Sequence, residues 1–433
     1  MSLSTRVGLL AGATALTLSG VSVADTGAAQ STESRIAALE AEIAQLKGDT
    51  WMNEQRATEV RGIVQDVLAD ADTRASLLAQ GAGASYDKGF CIGSSEGNFS
   101  LKLNLLEQVR FVYRNIDELS GDTNRYGFEN KRTRIFMSGH VGDPSWTYYV
   151  QYGGDQDGSF QLFDGTITKK MDNGWSVTAG QKKVPFMREE LVSDAYGLTV
   201  ERSLVNAELS QTRSQGIEFG YEADTYRAAI MVHDGSSNLN TPWNTYDNEF
   251  ALSARSTFLF SGNWNQFKDF TSPRGSEQGM MLGVGAYYEK GEYGTVANTD
   301  EPETYGLTAD FSIENDGWTA FIAGTWRSVN QDAGDVDTYG IVAQGGYYFT
   351  DETEGFLRYE YGDIDADGVD SNELSIITVG VNHYFNSNVK WTTDLGFSTG
   401  EVDSIWASET GTGWGEDAED GQFVIRSQLQ LTF

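Results

Sequence analysis

Disulfides, prolines and histidines are almost missing from this chain. A single Cys91 excludes an intramolecular disulfide framework and a cysteine metal cluster, and it lies too deep in the chain for amino-terminal acylation. The three histidines, His140, His233 and His383, are scattered, with no H-E-x-x-H pair among them. There is no G-x-S-x-G elbow and no phosphate-cradling glycine loop, so the common hydrolase and nucleotide-binding chemistries have no carrier. The aspartates of 363–373 lack EF-hand spacing. No enzyme activity, metal or cofactor is therefore expected. Basic residues are also in the minority, 30 against 63 acidic, and the net charge of −33 repels nucleic acid. Nowhere do about 18 apolar residues run together, which excludes a membrane-spanning helix. It does not exclude spanning strands, which need only about 10 alternating residues.

What is present favours β-structure: 49 glycines, only 5 prolines and 12 % aromatic residues. Residues 1–24 read as an export signal, with Arg6, an apolar run from Val7 to Leu18, and small residues Ser22 and Ala24 before the expected cut. Within 25–85, Ile36, Leu39, Ile43 and Leu46 keep the 3-and-4 spacing of a short coiled coil, and a second helical pattern follows over 53–79. From Gly97 the period changes to two. Phe99, Leu101, Leu103, Leu105, Val109, Phe111 and Tyr113 alternate with Ser100, Lys102, Asn104, Gln108, Arg110 and Arg114.

About sixteen such stretches lie between 99 and 433, joined by connections that alternate short and long. Short turns include 142–145, 171–174, 222–225, 314–317, 350–354 and 386–388, with 261–277 overlong for that set. Between them fall the longer 115–130, 183–213, 233–248, 289–302, 362–372 and 399–421. Aromatic residues such as Trp146, Trp175, Trp318, Tyr339 and Trp391 gather near the strand ends. Sorted connections, an even strand count and aromatic ends predict an all-β fold, a 16-stranded antiparallel transmembrane β-barrel over 97–433, preceded by the short helical segment. The last strand, 422–433, closes it by pairing with the first.

If the apolar parity faces lipid, the other faces a lumen. That face carries Lys102, Arg110, Arg114, Arg132, Arg134, Arg227, Arg255, Arg327, Arg358, Lys390 and Arg426, against Asp310, Glu360 and Asp394. Most carboxylates fall in loops: residues 214–433 carry a net charge of −27, while 100–213 carry −1. Two readings follow: a basic pore that favours anions, or a ladder in which lumen charges pair structurally. The parity of stretches 160–170 and 373–385 is ambiguous. The longest connection, 183–213, exceeds a plain hairpin. Folded inward it narrows the lumen and presents Lys183, Arg188, Arg202 and Arg213 among five acidic residues.

The stretches "AGQKKVPFMREELVSDAYGLTVERSL", "RSQGIEFGYE" and "VGVNHYFNSNVKWTTDLGF" resemble the phosphate-selective porin O/P family. The head, "RATEVRGIVQDVLADADTRASLL" into "YDKGFCIGSSEGNFSLKLN", resembles planctomycete-type members. The resemblance implies a 16-stranded homotrimeric outer-membrane porin that passes small hydrophilic or anionic solutes, some members selecting phosphate. It places Lys182, Lys183, Arg188 and Arg202 at basic positions of the loop motif. The expected function is passive diffusion across the outer membrane, with the helical head in the periplasm. The alternative is a structural anchor that ties the membrane to the cell wall through that head.

Overall fold

The computed structural model describes residues 82–433 except 119–120, 156–157, 244–247, 292–300, 333, 367–371, 408–410 and 417–420. The chain divides into two units, Met1–Ala75 and Ser76–Phe433. Before residue 82 only positions 37, 38, 40, 41 and 62 are described, all helical. The export signal and the rest of the expected coiled-coil and helical head lie outside the described residues.

Eighteen strands follow: β1 (Ala82–Tyr86), β2 (Phe90–Ser94), β3 (Phe99–Glu118), β4 (Gly121–Val141), β5 (Asp143–Asp155), β6 (Phe160–Lys170), β7 (Trp175–Lys183), β8 (Arg213–Glu222) and β9 (Tyr226–His233) come first. Then come β10 (Asn248–Ser261), β11 (Gly279–Gly291), β12 (Glu303–Asn315), β13 (Trp318–Asn330), β14 (Val336–Tyr348), β15 (Thr353–Ala366), β16 (Leu374–Tyr384), β17 (Val389–Ser398) and β18 (Phe423–Thr432). Strands β3 to β18 pair antiparallel in sequence order. β18 then pairs with β3, from Phe423 opposite Asn115 to Thr432 opposite Leu106, closing a 16-stranded barrel.

The two parities separate as side-chain chemistry requires. Along β18, Phe423, Ile425, Leu429 and Leu431 face out, and Val424, Arg426, Gln428 and Gln430 are buried inside. Ile217, Ile230, Leu307, Ile322, Ile341, Leu357, Val379 and Leu395 continue the exposed apolar belt around the wall. Trp146, Trp175, Tyr347, Phe385 and Trp391 edge it at the short-turn end, and Tyr152, Phe160, Phe250, Tyr305 and Tyr339 at the long-loop end.

Three features depart from the sequence pattern. The expected loop 115–130 is almost all strand: β3 and β4 stay in register up to Glu118 opposite Gly121. Its polar composition reads as a loop, but the Phe111 and Phe128 rings pack across the strands, tilted at 55° with 5.1 Å between centroids, and the ladder persists beyond the belt. A hairpin, β1–β2, stands where no strand is expected, and β1 begins inside the stretch assigned to helices. It fills a specific need. Phe433 exchanges both backbone hydrogen bonds with Leu105 (3.1 and 3.2 Å), and below that point β2 takes up the edge of β3 from Leu103 to Ser100. The rings of Phe90 and Phe433 meet edge to face at 5.3 Å across the junction.

Third, two of the barrel's register shifts break the parity beside the long connection. Lys131 is the extra residue where Gln108 pairs with Arg132 and Val109 with Asn130, so Lys131 and Arg132 are both buried. Phe163 is extra where Gln151 pairs with Asp164 and Tyr152 with Leu162, so Phe163 and Asp164 both turn inward. This accounts for the ambiguity of 160–170. In 373–385 the register is regular, but the inward residues Leu374 and Ile376 are apolar because an internal core covers them.

Leu395 lies exposed at mid-height of the apolar belt. Leu395→Arg is expected to lower the unfolding free energy in phospholipid vesicles by about 2–4 kcal/mol, read from urea titration. A wall bathed in water would tolerate the change nearly unaltered.

Candidate functional site

The charges facing the lumen are neutralised first along the wall. Arg426 grips Asp394 with two hydrogen bonds, 2.7 and 3.1 Å, and Arg213 grips Asp164 at 3.1 and 3.2 Å. Arg255 reaches across β11 to Asp310 at 2.7 Å. The crossing strand carries Gly283 at that point, where a Cβ would stand 2.0 Å from the Arg255 guanidinium. Arg358 pairs with Glu360, two residues along its own strand, at 3.1 Å.

The segment 184–212 then fills much of the lumen. It folds as α1 (Arg188–Leu191), a short 3-10 turn at Asp194–Tyr196, and α2 (Leu204–Leu209), whose first turn is capped by the Ser203 hydroxyl accepting from Asn206 N–H. Between them the backbone crosses successive strands almost residue by residue. Gln108 of β3 donates to the Asp194 carbonyl, Gln430 of β18 to Ala195, Lys390 of β17 to Gly197, and Asn382 of β16 to Leu198. Arg358 of β15 donates to Thr199 Oγ1 and the Glu201 carbonyl, and Arg327 of β13 binds Glu208. Phe186, Leu198, Leu204, Val205 and Leu209 pack inward against Phe321, Val342, Phe356 and Ile376 of the wall.

Two other connections join this core. The overlong turn between β10 and β11 folds in from the short-turn end, burying Phe267 and Phe270. Its Phe267 and Asp269 carbonyls accept from Arg188. The last long loop, with α3 (Ser404–Ala407), brings Trp406 and Trp414 from the other end.

Electrostatics hold the long segment against β3 and β4. Glu201 accepts from Arg110 at 2.5 Å and from Arg132 at 2.7 Å, with Lys131 3.8 Å away. Asp194 meets Arg134 at 2.6 Å and Arg202 at 2.7 Å. Burial pushes both carboxyls up, but the surrounding guanidinium groups outweigh it and hold both well below the usual carboxylate range.

On the other side space remains. A cavity of about 320 Å³ runs between the wall of β4–β8 and the segment Leu191–Asp194. Arg134, Lys182, Lys183 and Arg213 line it, against Asp164 and Asp194, with Tyr149 and Gln151 between. The Phe163 ring, turned in by the bulge, sits under two of these cations, 4.2 Å from Arg134 and 5.2 Å from Arg213.

The family model described as phosphate-selective porin O and P matches residues 104–396. The chain belongs to that family. Among solved structures it is similar in fold to the anion-selective porin from Comamonas acidovorans, with TM-score 0.55, 15 % identity, and 77 % of this chain and 100 % of that one covered. OmpT of Vibrio cholerae gives TM-score 0.53 at 12 % identity, covering 78 % of this chain and 98 % of that one. At these identities the likeness is one of fold. No curated protein matches. The family and the closed barrel make the chain an outer-membrane channel rather than an enzyme.

Within this porin, the residues singled out by sequence separate into groups. Arg134, Lys182, Lys183 and Arg213 meet at the open cavity. Arg110 and Arg132 are occupied by Glu201, and Arg202 by Asp194 and Glu190. Arg188 is spent on backbone carbonyls. Lys102 lies at the short-turn end, 3.8 Å from Asp87 of the β1–β2 turn, and Arg114 lines a separate hollow near the long-loop end with Arg125 and Trp414. Arg426, placed on the lumen face by parity, is fully buried between Asp394 and the Thr412 carbonyl. Lys131, Tyr149, Phe163 and Asp164 were not singled out. The bulge at Lys131 leaves no mark in the alternation, and the one at Phe163 shows only as the ambiguous parity of 160–170.

A depressed carboxylate contributes stability that is fully present above its unfolded value, about 4, and lost only as pH falls through the lower folded value. Single-channel conductance is therefore expected to keep one size from pH 8 to about pH 4 and to become larger or noisy only in stronger acid. Glu201→Gln removes the carboxylate charge that Arg110, Arg132 and Lys131 share, at a cost of about 3–5 kcal/mol, and is expected to bring that noise to pH 7. A quiet, unchanged trace would show that the segment is held by its apolar face alone.

Proposed function

We propose that this porin is a passive diffusion channel for small hydrophilic solutes that prefers anions, inorganic phosphate among them. The observation that carries the reading is the cavity beside β4–β8, lined by four cations and two carboxylates, with Glu218 and Glu190 outside the lining against Lys182 and Lys183, although the whole chain carries −33. Along β11–β18 an apolar core fills the lumen. A narrow path in a low-dielectric wall amplifies whatever charge lines it. Arg134 and Arg213, held in place by Asp194 and Asp164, give the cavity a fixed charged lining for a polar solute. The short-turn end and the amino-terminal segment face the periplasm, and the barrel assembles as a homotrimer. These last two assignments follow the common arrangement of the resemblance.

Planar bilayers are expected to show stable conductance steps, with a reversal potential in a KCl gradient on the chloride side. Lys182, partly exposed beside Glu218, is the accessible probe. Its charge acts through water at about 1 kcal/mol over about 4 Å, so Lys182→Gln is expected to lower the chloride-to-potassium permeability ratio about fivefold. Millimolar phosphate is expected to reduce the chloride current. A cation-favouring potential in the unaltered protein would overturn the anion reading and leave the channel.

A further inference from the structure

Several inward glycines are accounted for by the lumen filling. A Cβ on Gly340 would stand 2.4 Å from Val205, and one on Gly362 would stand 2.4 Å from Trp406. Gly324 is different. It faces outward on β13, between Ala309 of β12 and Ile341 of β14, and a Cβ there would meet nothing within 4 Å. The outer wall is hollowed around it. An apolar groove of about 750 Å³ has its floor at Ala286, Ala309 and Gly324 and its rim at Leu307, Ile341, Trp326 and Tyr339. A second hollow of about 440 Å³ continues toward the short-turn end over Ala320 and Ala343.

We propose that this groove is a lipid site, holding an acyl chain of a bilayer phospholipid against the outside of the barrel. The groove is continuous with the apolar belt that meets the hydrocarbon of the outer membrane, so its occupant comes from there. An unfilled groove forfeits the dispersion contacts of its floor. A second copy of the chain presents a convex wall. It would rest on Leu307, Ile341 and Trp326 and leave Ala309 and Gly324 uncovered. A single flexible acyl chain follows the floor. At the long-loop rim, Trp326 donates its indole N–H to Asp337 at 3.2 Å, and Tyr339 stands exposed beside it. Amphipathic rings at that height mark the level of lipid ester groups. The site is independent of which solute the lumen passes.

The test uses the full chain in phosphatidylcholine vesicles containing a small fraction of a phospholipid with a diazirine in one acyl chain. After irradiation, peptide mass spectrometry is expected to find label concentrated on 305–311 and 320–326 over the exposed faces of β16 and β17. Gly324→Leu, whose Cβ meets nothing within 4 Å, projects a side chain into the groove and is expected to lower that labelling at least about fourfold, the equivalent of one buried methylene. Conductance and oligomeric state stay as in the unaltered protein. Ala179→Leu, at another exposed position of the wall, is expected to leave the pattern intact. Even labelling around the barrel, or labelling indifferent to Gly324→Leu, would overturn the proposal. A change of oligomeric state in Gly324→Leu would overturn it in favour of a contact between copies.

Discussion

Everything in this molecule depends on the closure of β18 on β3. In hydrocarbon an unpaired backbone N–H or C=O costs several kcal/mol, so a wall of strands is tolerable only without an edge. Ten residue pairs from Phe423–Asn115 to Thr432–Leu106 remove the last one. The constraint extends past the final residue: β3 continues below Leu105, and β2 takes up its edge there. Once the wall is closed, each residue has an inside or an outside, and the alternation of the sequence becomes a separation of environments.

The inside then behaves as two regions. Along β11–β18 the lumen resembles the core of a soluble protein: apolar side chains of the long segment meet apolar side chains of the wall, and two tryptophans cover them. Along β4–β8 the side chains are polar, and space remains. Between the two runs a seam of buried ion pairs, Glu201 with Arg110 and Arg132, and Asp194 with Arg134. Such pairs gain little net stability against well-packed apolar residues, but they are costly to break singly. Here they set where the segment lies, and therefore which side of the lumen stays open. The open side of the lumen is therefore off-centre, and a handful of charged side chains line it.

How much of this was legible is best judged from particular residues. Sixteen alternating stretches, short and long connections in turn, and an aromatic final strand carried the barrel, because period-two burial leaves a direct imprint on composition. The same imprint placed Arg110, Arg132, Arg134, Arg255, Arg358 and Arg426 inside. It missed the upper part of the β3–β4 hairpin, where the polar composition of 115–130 interrupts the alternation. It also missed the β1–β2 hairpin, whose role depends on where the chain's own last strand stops.

The sequence by itself determined the class of fold, the lipid-facing parity and the supply of cations to the lumen, since each follows from neighbours along the chain. Which cations reach open space was decided only by tertiary structure. Arg426 and Arg134 look alike in the alternation. One is closed between Asp394 and a loop carbonyl, while the other rests on Phe163 at the edge of a cavity. That difference is set by two bulges and by the path of a segment that touches strands far from its own. Such contacts join residues up to more than two hundred positions apart, as with Ala195 and Gln430, and no local pattern encodes them.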